Sequence, residues 1–188
     1  MDFFVEQGTL LASGPDMLDP NFMHTVVLMC QHGESGAFGL VLNRPSTQTT
    51  QSVLSDELAL GRVDVPIFVG GPVGHDRLQV LHRVPEIVEG GVELARGVWI
   101  GGDLECLGGY AESDPEGFAS NVRLVLGYAG WSEEQLEGEL EEGAWLPAQC
   151  SSGLVFDEDP GGLWRHVVRS IGDLSDGLDL EPPDPSWN

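Results

Sequence analysis

The sequence contains no lysine. Its eight basic side chains are all arginines, against 31 aspartates and glutamates, which gives a formal net charge of −23. Without lysine, no side chain can form a Schiff base, and the lysine of a phosphate-binding loop is absent. The arginines are spread along the chain rather than grouped in a stripe. We therefore expect no direct binding to nucleic acid, whose phosphates attract clustered cations.

Long apolar runs and paired cysteines are also missing. No stretch reaches the ~18 residues of a membrane-spanning helix, and the first residues lack the basic and apolar regions of a secretory signal. The three cysteines lie far apart, at positions 30, 106 and 150, with no Cys-x-x-Cys pattern. This set predicts no disulfide framework and suits a reducing compartment. We expect a cytoplasmic protein that makes no membrane contact.

Length and composition predict one folded domain and a tail. With 188 residues, of which 41% are hydrophobic, the chain can bury a core within a single domain. Residues 176–188 are acidic and contain three prolines, so they have little to bury. The sequence therefore predicts a domain over residues 1–175 and a disordered tail over residues 176–188.

Apolar and β-branched segments predict many strands. Residues 24–31 and 37–43 flank the turn residues 33–36 and predict a hairpin. Pro45 is expected to end its second strand, because proline has no N–H to donate. Further strands are expected at residues 9–12, 66–69, 78–82, 92–94, 98–100 and 122–128, and a short helix at residues 51–58.

Capping patterns predict helices, mainly in the second half. Ser132 followed by Gln135 resembles a capping box, and Gly143 suits the end of that helix, whose glutamates should face water. Asp159 is the expected cap of the last helix, and Asp103 is expected to cap another. Many strands with a few helices, and no strict alternation of the two, predict an α+β fold.

Cys30 and His32 are the candidate catalytic residues. Two residues apart on a regular strand, they would point to the same face, where an imidazolium could activate the thiol as a nucleophile or redox sensor. The alternative, which we favour, is that Cys30 packs in the core, because it follows the apolar residues 26–29. No metal site or cofactor is predicted, because the histidines and cysteines show no ligand spacing.

Three further features are candidate binding sites. Asn43 and Arg44 could contact an anion or a protein partner through the guanidinium, although a structural pair between Arg44 and a carboxylate is favoured. Gly70 and Gly71 could bring bare backbone to a ligand, or simply form a tight turn, which is favoured. Trp131 could anchor an interface, or pack in the core, which is again favoured.

Six short segments, in order along the chain, resemble the signature blocks of the bacterial AlgH/YqgE family. The resemblance implies a single α+β domain with a mixed, curved and partly closed sheet flanked by helices. It also carries over the Cys-x-His pattern at residues 30–32. The chain departs from the family where Gly101 and Gly102 replace hydroxyl residues. The segments are LDPNF (18–22), GAFGLVLNRP (36–45), GGPV (70–73), GYAGW with QLE (127–137), WL (145–146) and FD (156–157).

The family name implies transcriptional regulation, but the family has no established chemistry. Together with the charge, the resemblance predicts a cytoplasmic regulatory module that binds a protein partner or a small ligand, and not nucleic acid. An enzyme is the less favoured class. The alternative is a thiol-based redox sensor or enzyme that uses Cys30 with His32.

Overall fold

Ten strands and six helices make up residues 4–172, the part of the chain that the computed structural model describes. The predicted tail, residues 176–188, lies outside the described residues. The strands are β1 (Leu10–Ser13), β2 (Val26–Gly33), β3 (Gly36–Val41), β4 (Pro45–Thr49), β5 (Pro66–Val69), β6 (Val73–His82), β7 (Val92–Ala95), β8 (Val98–Ile100), β9 (Val122–Trp131) and β10 (Trp145–Ala148). The helices are α1 (Thr50–Val53), α2 (Leu104–Ser113), α3 (Pro115–Asn121), α4 (Gln135–Glu141), α5 (Ser152–Val155) and α6 (Leu163–Gly172), with a 3₁₀ turn at Ala59–Arg62.

The long strand β9 is the centre of the sheet. The strand order is β10–β1–β2–β3–β9–β6–β8–β7, with β5 also pairing with β9 and β4 pairing with β5. The β5–β9 pair is parallel, and the other pairs are antiparallel. The sheet is therefore mixed, and the predicted fold class, one α+β domain with helices around a mixed sheet, is confirmed.

The sheet curves but does not close. Within residues 4–172, the end strands β10 and β7 do not pair with each other. The chain just before β1 nevertheless lies against β7, because a Cβ on Gly8 would come within 2.4 Å of the Leu94 carbonyl oxygen. The structure is thus an open sheet with its ends brought together, rather than a barrel.

Both faces of β2 are buried. Val26, Leu28 and Cys30 pack in a core cluster with α6, whereas Val27 and Met29 pack in a second cluster with α4. This alternation has the period of two expected of a strand, and it explains why the sequence reads as a continuous apolar run. A third cluster joins α2 and α3 to β6 and β9.

Pro45 begins a strand instead of ending one. β3 stops at Val41, and Pro45 is the first residue of β4, which within residues 4–172 pairs with β5 alone. A proline is tolerated there because an edge strand leaves one row of its backbone groups unpaired. The position of this strand break was therefore wrong in the sequence-based prediction, although the hairpin of β2 and β3 is confirmed.

Helix α2 was marked in the sequence only by its cap. The carboxylate of Asp103 accepts a hydrogen bond from the Cys106 amide at 2.9 Å, as predicted, and this bond lowers the pKa of Asp103. Gly108 and Gly109 make this helix difficult to predict from the sequence, because glycine disfavours helix interiors. Gly108 is needed for packing, since a Cβ there would lie 2.4 Å from the Ala59 Cβ. The last helix, α6, begins at Leu163, after a turn that follows Asp159.

Glu139 on α4 connects three elements through two tryptophans. Its Oε2 accepts hydrogen bonds from the indole of Trp131 on β9 at 2.9 Å and from that of Trp145 on β10 at 2.8 Å. Its Oε1 accepts a third from Gln135. The expectation that every glutamate of this helix faces water is wrong at Glu139, because two largely buried N–H groups need an acceptor. Gly143 ends the helix as predicted, with φ 73°.

We expect Glu139→Ala to destabilise the fold by about 2–3 kcal/mol, because it leaves both indole N–H groups without their charged acceptor. Urea unfolding followed by tryptophan fluorescence would measure the loss. The matched control is Glu141→Ala, on an exposed position of the same helix, which should change stability by less than about 0.5 kcal/mol. Equal effects of the two variants would contradict the role given to Glu139.

Candidate functional site

A cleft opens where the ends of β3 and β5 meet the start of β6. Its volume is about 250 Å³. Segments that are far apart in sequence, near residues 20, 44 and 71, meet there, and so the fold creates a site that no single motif contains. The polar lining residues are Asn21, Arg44 and His75, and the remaining ones are Pro20, Val41, Pro45, Val69, Gly71 and Pro72.

Arg44 is the cation of this cleft. It is half-buried, and its Nη2 donates a hydrogen bond to the Met23 carbonyl. The ion pairs within residues 4–172 are formed by Arg62, His32 and His166, so Arg44 has no carboxylate partner there. The favoured structural ion pair of Arg44 is therefore not formed with any carboxylate of those residues. Burial lowers the pKa of its guanidinium below the usual value.

A second basic side chain lies close to Arg44. His24 packs its ring on Trp164 with the centroids 4.7 Å apart, and its Nε2 is buried with no hydrogen-bond partner among the described residues. Burial lowers the pKa of His24, and the positive charges of Arg44 and Arg165 lower it further. The neutral form of His24 is therefore favoured, which leaves the Arg44 guanidinium as the positive charge of the cleft, and this charge favours an anion there.

Asn43 holds the backbone beside the cleft. Its side chain is buried, with Oδ1 accepting a hydrogen bond from the Val26 amide at 3.0 Å and Nδ2 donating one to the His24 carbonyl at 2.8 Å. These bonds fix the chain that leads into Arg44. Of the two residues predicted as a binding pair, the structure thus brings only Arg44 to the cleft.

Gly70 and Gly71 lie tightly against β9. A Cβ on Gly70 would come within 2.3 Å of the Gly127 carbonyl oxygen, and one on Gly71 within 2.2 Å of the backbone of Tyr128. The Gly70 amide donates to the Leu126 carbonyl at 2.8 Å, so it is not free for a ligand. These glycines are required for close backbone packing, and Gly71 also lines the cleft.

His75 is the cleft residue that sequence reasoning missed. Its Nε2 lies 2.7 Å from the Gly71 carbonyl oxygen. Since a carbonyl can only accept, the ring donates its Nε2–H and fixes the loop. No motif marked this histidine. Its position two residues after the GGPV segment was the one available hint.

A β-bulge separates Cys30 from His32. The register between β2 and β3 shifts by one residue at Cys30. Cys30 therefore packs in the cluster that α6 covers, whereas His32 lies opposite Ala37, which packs in the cluster that α4 covers. The expectation that the two side chains share a face is wrong, because the extra residue reverses the alternation along the strand.

Neither member of this pair is placed to activate the other. Cys30 is 5% exposed, and burial raises the pKa of its thiol to about 12. His32 reaches α4 instead, where its Nε2 lies 2.7 Å from the Glu137 carboxylate, and this contact lowers the pKa of Glu137. The geometry supports a packing role for Cys30.

Trp131 is also buried. It is 6% exposed, its indole N–H is bound by Glu139, and its ring meets that of Trp145 edge to face at 5.7 Å. It does not line the cleft. These contacts support the favoured packing interpretation over an interface anchor.

Two further properties concern the whole of the described chain. Residues 4–172 contain no group of three or more histidine, cysteine, aspartate or glutamate side chains that could hold a metal ion. They also contain no helix that is long and apolar enough to cross a membrane.

Comparison with known proteins finds similar chains of comparable length. Residues 10–175 match the AlgH-like family. The UPF0301 protein of Chlorobaculum tepidum is 42% identical over 168 residues, covering 89% of this chain and 88% of that protein. The solution structure of the AlgH protein from Pseudomonas aeruginosa matches with a TM-score of 0.64 and 29% identity, over 95% and 98% of the two chains. A Corynebacterium diphtheriae crystal structure, 22% identical, shares the fold with a TM-score of 0.68, over 95% and 91%.

We expect Cys30 to resist alkylation in the folded protein, because a buried thiol with a raised pKa offers little accessible thiolate. Iodoacetamide labelling, read at each cysteine by mass spectrometry, should modify the half-buried Cys106 first and Cys30 only after unfolding in guanidinium. Native labelling of Cys30 as fast as that of Cys106 would contradict this and support thiol chemistry.

Proposed function

The chain belongs to the AlgH-like family, whose biochemistry is not established, and we propose that it is a cytoplasmic regulatory module that binds a small anionic ligand in the cleft around Arg44. It acts by binding and not by catalysis. If it influences transcription, as the family name implies, it does so through a protein partner and not by contacting DNA.

One observation carries this proposal. Three of the six segments that resemble the family's signature blocks, at residues 18–22, 36–45 and 70–73, meet in the cleft. They supply all of its lining residues except Val69 and His75. Segments that resemble the family and converge on one concave surface, rather than on the core alone, favour a binding site there.

The charge of the cleft supports an anionic ligand. In a chain with 31 acidic side chains and eight arginines, a half-buried arginine would ordinarily be paired. Arg44 has no such partner within residues 4–172. A bound anion would supply the missing counter-charge, and a guanidinium suits the planar oxygens of a carboxylate or phosphate.

The alternatives have less support. Thiol chemistry would need Cys30 accessible and close to a base, but it is buried and on the opposite face from His32. Nucleic-acid binding would need a cluster of free cations, but Arg83 and Arg123, which both contact the Phe156 ring, donate to backbone carbonyls. A binding module remains the function that the geometry supports best.

Ligand capture from the native cell tests the proposal. Tagged wild-type protein, an Arg44→Gln variant and an Arg62→Gln variant would be recovered from lysate, and their bound metabolites identified by mass spectrometry. Arg62 is the matched control, because its loss removes the same charge from an exposed ion pair with Glu112. We expect an anionic metabolite enriched at least about fivefold on the wild type and on Arg62→Gln. Equal enrichment on Arg44→Gln, or none on any form, would refute the proposal.

The protein should not bind nucleic acid specifically at physiological salt, because its net charge repels phosphates. Fluorescence anisotropy with labelled genomic duplex fragments and RNA at about 0.15 M salt would measure this. We expect no complex up to about 10 µM protein. A sequence-specific complex near the usual ~10⁻⁸ M would contradict the assignment of regulation to a protein partner.

A further inference from the structure

The cleft around Arg44 combines one positive charge with several apolar side chains on its wall. Five of its nine lining residues are prolines or valines. We propose that its ligand is a small monocarboxylate, in which one carboxylate binds Arg44 and a compact branched or cyclic hydrocarbon body packs on this wall. The inference rests on the proposed function and adds the chemical class of the ligand.

One hydrogen bond orients the guanidinium of Arg44. Its Nη2 donates to the Met23 carbonyl, and the other N–H groups have no acceptor among residues 4–172. A planar fork held on one side can present the remaining donors to two oxygens in the same plane, which matches a carboxylate. Fixing the side chain before binding also reduces the entropy lost when the ligand is bound.

A second negative charge would meet no cation in the cleft. Asn21 is an amide, and the Nε2–H of His75 is donated to Gly71. Asp19, which directly precedes the lining residue Pro20, accepts a hydrogen bond from the Asn21 amide at 2.9 Å, which places a carboxylate next to the lining residues. With a net charge of −23 over the whole chain, a dianion would be repelled. These features select a monoanion over a phosphate ester or a dicarboxylate.

The apolar wall determines the rest of the ligand. Its apolar surface can be removed from water by a hydrocarbon group of the ligand. This surface is formed by Val41 and Val69, the last residues of β3 and β5, and by Pro20, Pro45 and Pro72. A volume of about 250 Å³ equals roughly eight water molecules at ~30 Å³ each. It therefore suits a ligand on the order of ten non-hydrogen atoms, smaller than the usual drug-sized molecule.

Amide chemical-shift titrations of the full-length ¹⁵N-labelled protein test this class directly. The probe is 4-methylpentanoate. Four control ligands are titrated at matched ionic strength. Acetate lacks the hydrocarbon group of the probe, and 4-methylpentanamide lacks its negative charge. Methylsuccinate and phenyl phosphate carry a second negative charge. We expect saturable shifts at Asn21, Gly71 and His75 with a Kd near ~1 mM or tighter. Acetate, the amide and the dianions should bind at least about tenfold more weakly.

Variants place the binding at the cleft. Arg44→Gln should abolish the shifts, and Arg62→Gln should leave them unchanged. If Arg44→Gln fails to fold, Val69→Thr serves instead, because a hydroxyl on the wall should weaken 4-methylpentanoate about threefold or more without affecting acetate. Cleft binding of the dianions as tight as that of the monocarboxylate would overturn the ligand class but keep the proposed function. Binding of 4-methylpentanamide as tight as that of 4-methylpentanoate would show that the cleft does not select a negative charge, and would overturn the ligand class. No saturable shifts at the cleft with any probe would count against both proposals.

Discussion

Close contact between two backbone segments is the constraint on which the site depends. Gly70 and Gly71 cross β9 at Gly127 and Tyr128 with no room for a Cβ on either glycine, and Gly127 has a φ of 80° that few other residues adopt. This contact allows β9 to pair with β5 and β3 along one edge and with β6 along the other. The chain then turns from β5 into β6 over the end of β3, and the cleft forms at that turn. A side chain at these positions would push the segments apart and open the site.

The acidic composition of the protein makes the absence of an ion pair at Arg44, among the described residues, unusual. An arginine in a basic protein needs no explanation, but here acids outnumber bases by 31 to eight. The other well-packed arginines are occupied, since Arg83 and Arg123 donate to carbonyls at the end of α3 and pack on Phe156. Arg44 instead lies half-buried beside His24, and it forms no ion pair with a carboxylate of the described residues. The shortage of cations argues against nucleic-acid binding. For the same reason, a guanidinium without a carboxylate partner among the described residues indicates a site for an anion.

Local patterns in the sequence predicted much of the fold and little of the site. The strands and the Asp103 cap follow from periodicity and capping, which act over a few residues. The bulge at Cys30 could not be predicted, because only pairing with β3 shows that one residue is extra. Glu139 looked like any exposed glutamate until β9 and β10 brought their indoles to it. His75 joined the cleft only through the turn from β5 into β6. Sites assembled from distant segments depend on such tertiary contacts.

A crystal structure of the protein grown with 4-methylpentanoate would test most directly whether the cleft around Arg44 binds a monocarboxylate. We expect a carboxylate within hydrogen-bond distance of the Arg44 guanidinium, with the hydrocarbon body against Val41 and Val69, and an unchanged bond from Arg44 to the Met23 carbonyl. A structure in which Arg44 pairs with an aspartate or glutamate of its own chain, and the cleft holds no ligand, would contradict this expectation.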